Sequence, residues 1–190
     1  MLMNRLQPIS RVSANNISGL DLIRLIDVRD VEWIMPAEEV WRGPLAGVLP
    51  TNGFVPRAEA TWVDFYFLAG MANHVETMLR SEHGPGWKEQ LTLPIAFDSP
   101  KRAEAVRLLS RGRWLALRMD GNEVIRLIGT LEQPLKLNAA AMTTAGANGW
   151  NIELGCITLA QAYYLENWDP ETIYGDPADF SFEFLNEFNS

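Results

Sequence analysis

Cysteine and histidine are almost absent from this chain of 190 residues. Cys156 is the single cysteine, and His74 and His83 are the only histidines. One cysteine excludes an intramolecular disulfide, and nothing in the sequence points to an oxidising compartment. One cysteine and two histidines also match no zinc-binding spacing, so the sequence predicts no metal site.

Long apolar runs are missing as well. No stretch approaches the roughly 20 residues of a membrane-spanning helix, and residues 1–8 lack the apolar core of a secretory signal. We therefore expect assembly in a reducing cytoplasm and no contact with a membrane. The content of 47% hydrophobic and 21% charged residues is typical of a folded globular domain.

Basic residues stop at Lys136. Up to that position, 16 Lys and Arg are matched by 16 acids, so the remaining eight acids give the chain its net charge of −8. A protein that binds nucleic acid needs a basic surface to displace counterions from the phosphates. The distribution of charge therefore argues against nucleic-acid binding.

Catalytic and cofactor-binding motifs are also missing. Neither histidine is accompanied by a Gly-x-Ser-x-Gly turn, and the Gly112 region ends a predicted helix instead of opening one around a phosphate. Asp27, Asp30 and Glu32 lack the glycine-punctuated loop of a cation site and are better explained as a charged strand face. The sequence predicts no catalytic residue, no cofactor and no enzyme activity.

Short segments of strand character, separated by turn residues, make up most of the chain. Residues 22–34 alternate apolar and charged positions, and a slip near Asp30 predicts a β-bulge. Pro94 predicts that its strand lies at a sheet edge or is broken there. The other predicted strands are residues 62–68, 74–79, 87–97, 134–138 and 150–159, with a Gly/Ala/Thr-rich link over 139–149. This pattern is typical of an antiparallel β-sandwich or barrel.

One amphipathic helix is predicted around residues 100–111. Ser99 is a good N-cap, Pro100 suits the first helical position, and Gly112 is expected to supply a left-handed stop. The face expected to pack on a sheet contains Ala105, Leu108 and Leu109.

A hairpin is predicted directly after this helix. Residues 113–119 and 123–128 flank Asp120-Gly121, a dipeptide that tolerates positive φ and favours tight β-turns. Leu115, Leu117 and Met119 share one face of the first strand, and we expect that face to point to the core.

The chain divides into one β-rich domain over residues 1–168, with an N-terminal arm, and an acidic extension over 169–190. Residues 36–56 hold four prolines and three glycines and are interpreted as a long interaction loop. In the extension, Phe180-Ser-Phe-Glu-Phe184 places three phenylalanines on one side of an extended chain. The segment is interpreted as a last strand of the domain, as an arm that inserts into a neighbouring subunit, or as a disordered tail. The predicted assembly contacts are Trp41, Leu45, Val48, Leu49, Phe54, Phe180, Phe182, Phe184 and Phe188.

Several segments between residues 97 and 164 share a common order with a known group of proteins. They are Arg107-Leu-Leu-Ser-Arg-Gly112, Trp114–Glu123, Arg126–Leu137, Gly149-Trp-Asn-Ile-Glu-Leu154 and Ala162-Tyr-Tyr164. In this order the chain resembles small uncharacterised proteins from the tail and neck genes of bacteriophages and prophages. The resemblance implies a virion subunit, in a tail or neck ring, tube, terminator or connector, and carries over no catalytic residue.

We therefore expect a structural protein of a phage virion, assembled in the host cytoplasm, that contacts itself in a homo-oligomeric ring and contacts neighbouring virion proteins. A carbohydrate-binding β-sandwich or a small glycan-active hydrolase is the alternative. Two acids placed across a cleft need no fixed spacing in the sequence, and seven tryptophans suit the faces of sugars.

Overall fold

The computed structural model describes residues 19–42, 45–65, 71–82, 84–96, 98–144 and 147–166, which form a mainly β fold. A six-stranded sheet, here the large sheet, has the strand order β3-β12-β9-β8-β1-β5. All its strands pair antiparallel except β12 with β3. Its strands are β1 Leu20–Asp27, β3 Val48–Leu49, β5 Trp62–Phe65, β8 Trp114–Asp120, β9 Ile125–Ile128 and β12 Tyr163–Leu165.

A second, four-stranded sheet is antiparallel throughout and has the order β10-β11-β7-β6. Its strands are β6 Asn73–Ser81, β7 Gly84–Ala96, β10 Lys136–Thr144 and β11 Ala147–Thr158. The small sheet pairs β2 (Val31–Ile34) with β4 (Phe54–Pro56). The α-helices of the described residues are α1 (Ala37–Arg42) and α2 (Pro100–Leu109).

The large sheet is the middle of three layers and is buried on both faces. One face packs on the four-stranded sheet and α2 through a core that includes Ile23, Leu25, Ala116, Leu93 and Ile152. The other face packs on the small sheet and α1 through a core that includes Ile26, Leu115, Leu127, Phe54 and Val40. The predicted β-sandwich is thus confirmed as a mainly β fold, and the small sheet with α1 adds a third layer.

The predicted helix and hairpin are both present. Ser99 Oγ accepts a hydrogen bond from the Arg102 amide at 3.3 Å, so it is the N-cap of α2 as predicted. Strands β8 and β9 form the hairpin, with residues 121–124 as its loop. The positive φ, 61°, belongs to Glu123 and not to Gly121.

Both faces of β8 are buried, because it lies in the middle layer. Trp114 and Ala116 contact one core, while Leu115 and Leu117 contact the other. The prediction that one apolar face of β8 points to the core is therefore correct for Leu115 and Leu117 but incomplete.

Two details of α2 were predicted wrongly. Gly112 does not have a positive φ; the helix ends at Leu109, and its C-cap Ser110 is in the right-handed region. Glycine is needed at 112 because a Cβ there would lie 2.3 Å from the Trp114 indole. The buried face contains Val106 beside Ala105 and Leu109, whereas Leu108 is 48% exposed.

Residues 22–34 are not one bulged strand. Strand β1 ends at Asp27, a 3-10 turn spans Val28–Asp30, and β2 continues in a different sheet. The Asp27 carboxylate accepts from the Arg29 amide at 2.9 Å, and the Val28 amide donates to the Arg113 carbonyl at 2.8 Å. These contacts turn the chain from the middle layer to the outer one.

Residues 139–149 are not a link, since most of them belong to the β10–β11 hairpin, which pairs from Lys136↔Gly155 to Thr144↔Ala147. Pro94 sits in β7, an inner strand of its sheet, but β6 pairs with β7 only up to Thr92. The proline is thus placed beyond the end of that ladder, where its missing N–H costs least.

The segment 36–56, interpreted as a long loop, contains α1, β3 and β4. Val40, Leu49 and Phe54 are each at most 3% exposed and belong to the core under the large sheet. The segment is therefore an integral part of the fold, with α1 and β4 in the third layer and β3 at one edge of the large sheet.

Candidate functional site

A network of charged side chains lies between the large sheet and the four-stranded sheet. His74 Nε2 is 2.7 Å from Glu89 Oε2, and Arg118 Nε donates to His74 Nδ1 at 3.2 Å. Arg118 also bonds Asp120 at 3.0 Å, which is nearer the surface. Four side chains are thereby joined from a fully buried carboxyl at Glu89 to a partly exposed one at Asp120.

The protonation of His74 follows from these contacts. Nδ1 accepts a hydrogen bond, so the ring proton lies on Nε2 and points to Glu89. Burial, reinforced by the charges of Arg118 and Arg126, lowers the pKa of His74 to about 4. Burial raises the pKa of Glu89. Both pKa shifts favour the uncharged form of the side chain. The contact is therefore a hydrogen bond from a neutral imidazole and not an ion pair.

A second part of the network centres on Arg126. Its Nη2 lies 3.0 Å from both carboxylate oxygens of Glu76 and donates to the Ala162 carbonyl at 2.8 Å. Glu76 also accepts from the Ala162 amide at 2.9 Å, and the Arg126 guanidinium stacks 4.7 Å from the Tyr164 ring centre. These contacts connect β9 and β6 to the start of β12.

Glu76 and Glu89 are directly opposite on β6 and β7, so two carboxyl groups share one region of the core. Paired acids are what a glycosidase uses. Here, however, Glu89 is 0% exposed, and Glu76 is occupied by Arg126 and the Ala162 amide. In this arrangement the pair holds the two sheets together and offers no open face to a substrate.

Cys156 is cross-strand from Glu89 and half-buried. Burial, followed by the nearby Glu89 charge, raises the pKa of its thiol to about 12. A thiol with so high a pKa carries almost no thiolate at neutral pH and is a poor nucleophile.

Sequence reasoning assigned His74 a structural role but missed its hydrogen-bond partners Glu89 and Arg118. A signal was present, because Glu89 has the same strand parity as the core residues Leu91, Leu93 and Ile95. A charged residue at an inward position of a strand indicates a polar partner inside the core.

A groove of about 470 Å³ opens on the other side of the molecule, where β2 and α1 meet the turn after β9. Trp33 is 41% exposed and Leu159 is 78% exposed at this site. The lining also includes Met35, Pro36, Leu131, Glu132, Gln133 and Tyr163. Burial, with a smaller effect of Glu132, raises the pKa of the Tyr163 phenol to about 12. The groove is largely apolar and offers few groups for polar recognition.

The edge of the four-stranded sheet is the third feature. Strand β10 has a hydrogen-bonded neighbour, β11, on one side only within the described residues. Residues 138–143 of this strand are all exposed, and residues 137–144 (Leu-Asn-Ala-Ala-Ala-Met-Thr-Thr) include no charge and no proline. Natural proteins usually protect such edges with charges, prolines or bulges.

The predicted assembly contacts differ in how deeply they are buried. Leu45 is 56% exposed, Val48 is half-buried and pairs with Tyr164, and Leu49 and Phe54 are buried in the core of the chain itself. Trp41 packs against the same core, and a Cβ added at Gly47 would lie 2.8 Å from its ring. The remaining predicted contacts, Phe180, Phe182, Phe184 and Phe188, lie outside the described residues.

In the described ranges, no group of three or more His, Cys, Asp and Glu side chains is placed to hold a metal ion. No helix in the described part of the chain is long and apolar enough to cross a membrane. Comparison with known proteins gives no matching family model, and neither curated proteins nor solved structures show a significant similarity to this chain.

Proposed function

We propose that the protein is a structural subunit of a phage-type particle that assembles with copies of itself and with neighbouring virion proteins. It performs no enzymatic turnover in this role. The observation that carries the proposal is the uncharged edge of β10, which has a paired strand on one side only among the residues that the structure describes. The resemblance of residues 97–164 to tail and neck proteins supplies the type of particle.

The two edges of the four-stranded sheet differ in character. Strand β6, at the opposite edge, carries Glu76 and Arg80, whereas β10 has no charge beyond Lys136. An extended segment of a second subunit can hydrogen-bond to a free edge without displacing charged side chains. The small side chains of Ala139, Ala140 and Ala141 leave the backbone of β10 accessible to such a strand.

Self-association through β10 is tested with Ala140→Lys, which places a charge at the centre of the exposed edge. The matched control is Thr77→Lys on the exposed, already charged edge of β6. Light scattering over a concentration series measures the mass of each variant, and electron microscopy shows whether the wild-type assemblies are closed rings. Melting temperatures establish that all variants fold.

We expect Ala140→Lys to weaken association roughly tenfold or more, corresponding to about 1.4 kcal/mol, while Thr77→Lys matches the wild type. A wild-type protein that stays monomeric at all concentrations contradicts the proposal. Equal masses for Ala140→Lys and the wild type show that β10 is not the interface.

The carbohydrate alternative requires the groove, because Trp33 is its exposed aromatic group. The lining of this groove is largely apolar and includes Leu131, Leu159, Met35 and Pro36. A sugar, in contrast, needs several polar partners. Titration with a glycan panel, followed by tryptophan fluorescence, distinguishes the two functions. A saturable response favours the alternative.

A further inference from the structure

We propose that the groove between β2, α1 and the turn after β9 binds the chain's own C-terminal phenylalanine segment, residues 180–184. This intramolecular contact goes beyond the proposed assembly role and does not depend on it. The proposal joins two observations, namely an exposed apolar groove and an apolar segment located a short distance along the chain from it.

The position of β12 brings the start of the C-terminal segment close to the groove. Tyr163, at the start of β12, lines the groove, and the Glu166 amide donates to the Leu49 carbonyl at 3.2 Å. Residues 167–179 then separate this anchored point from Phe180. A random-coil chain of this length spans roughly 20 Å on average. The groove is thus within reach, and the tether gives an effective concentration on the order of millimolar.

The chemistry of the segment suits the groove. In an extended chain, Phe180, Phe182 and Phe184 point to one side, and Ser181 and Glu183 point to the other. A groove of about 470 Å³ lies within the roughly 300–1,000 Å³ of sites that hold a drug-sized molecule, which suffices for two aromatic rings. Binding would cover Trp33 and Leu159, two large apolar side chains of the lining that are exposed.

Charge favours an acidic occupant on one side of the groove. The Arg113 guanidinium is exposed and donates to the carbonyl of Leu131, a lining residue, at 3.2 Å. Glu183, on the polar side of the segment, complements this cation. Glu132 is the one carboxylate of the lining, so the segment should be oriented with Glu183 toward Arg113.

The test uses the full chain with two introduced cysteines, Leu159→Cys and Phe182→Cys, under mild oxidation. A disulfide forms only where the two Cα atoms come within about 4.4–6.8 Å. The matched control is Val124→Cys with Phe182→Cys, because Val124 is also exposed but lies at the opposite end of β9 from Thr130. Cys156 is common to both proteins, and peptide mass spectrometry identifies which thiols have joined.

The oxidation is performed at a concentration where light scattering shows monomers, so that its outcome is independent of self-association. We expect an intramolecular disulfide between the two introduced thiols in most molecules of the Leu159→Cys, Phe182→Cys variant. The control should show at least several-fold less cross-linking, and equal cross-linking in both proteins overturns the proposal. A link between two chains also overturns it, because the segment would then occupy the groove of a neighbour.

A second measurement uses the Phe180→Ser, Phe182→Ser and Phe184→Ser triple variant with a dye that fluoresces on apolar surfaces. If the segment covers the groove, this variant binds more dye than the wild type, and adding Leu159→Lys removes the increase. Unchanged dye binding in the triple variant contradicts the proposal even if the cysteine variants fold poorly.

Discussion

His74 on β6 and Glu89 on β7 are diagonal neighbours on adjacent strands, with Nε2 2.7 Å from Oε2 and side chains only 4% and 0% exposed. Arg118 approaches the other ring nitrogen of His74, so a cation lies where a second ring proton would be. The imidazole therefore stays neutral at a pH where an exposed histidine is already protonated.

Acid should destabilise the protein through His74. The unfolded chain takes up a proton near pH 6.5, whereas the folded protein does so only near pH 4, so stability falls as pH decreases between these values. At pH 5 the expected loss from this group is about 2 kcal/mol. Glu89 offsets part of this loss of stability. Its raised pKa means that the folded protein takes up a proton at Glu89 at a higher pH than the unfolded chain does.

This prediction is checked by urea unfolding at pH 7.5 and pH 5 for the wild type and for His74→Gln. Glutamine can donate to Glu89 and accept from Arg118, but it does not titrate. We expect the decrease in unfolding free energy between the two pH values to be smaller in the variant by about 2 kcal/mol. The same decrease in both proteins would assign the acid sensitivity to other groups.

Removing Arg126 should be strongly destabilising. Its loss leaves Glu76, whose side chain is 14% exposed, without its cation inside the protein. Removing one partner of a buried pair lowers the free energy of unfolding by about 3–5 kcal/mol. In a domain of this size the melting temperature then falls by about 10 °C. The measurement is the melting temperature of Arg126→Met.

Two further variants test the cause of that loss. Adding Glu76→Gln to Arg126→Met removes the unpaired charge and should recover about half of the lost stability. Arg107→Met breaks the exposed pair with Glu104, whose side chains are 48% and 53% exposed, and should change the melting temperature little because solvent screens an exposed pair. Equal losses for Arg107→Met and Arg126→Met would show that burial does not determine the effect.

Helix α2 and the β8–β9 hairpin could be predicted because the residues that determine them are close together in the sequence. The Ser99-Pro100 start and the turn after Asp120 act within a few residues of sequence, and both are present in the structure. The division of residues 22–34 between two sheets depends instead on a bond from Val28 to Arg113, far along the chain. No local pattern encodes such a partner.

The candidate sites were less predictable than the fold. Residues 139–144 are small and polar and suggest a link, yet they pair with β11 because its residues Trp150 and Ile152 are anchored in the core. The charge network joins strands from both sheets. The sequence therefore shows only that Glu89 lies at an inward-facing position of its strand, and not which residues it meets. The groove likewise combines residues from three separate stretches between positions 33 and 163.

Gly112→Ala should destabilise the junction of α2 and β8. The new Cβ would lie 2.3 Å from the Trp114 ring, whose Nε1 donates to the Leu109 carbonyl at 2.8 Å. Moving this buried ring loses the hydrogen bond and disturbs packing, at an expected cost of about 2–3 kcal/mol. Gly86→Ala, where the nearest atom is 3.5 Å from the new Cβ, is the control and should change stability little. Chemical denaturation compares the two, and similar midpoints would contradict the steric argument.

Leu45 and Leu49 provide a matched pair for separating assembly from folding in the segment 36–56. Leu49 is 0% exposed and packs in the core under the large sheet, whereas Leu45 is 56% exposed. Leu49→Ala should cost about 2–5 kcal/mol, because it leaves a cavity in a closed core.

Leu45→Ala should leave the melting temperature almost unchanged and, if Leu45 contacts a neighbouring subunit, lower the mass of the assembled species. The comparison requires melting temperature and light scattering on both variants at the same protein concentrations. Loss of mass in Leu45→Ala without loss of stability supports an assembly contact at this position. Unchanged mass in Leu45→Ala restricts the role of the segment to the fold of its own chain, since Leu49 and Phe54 are already enclosed there.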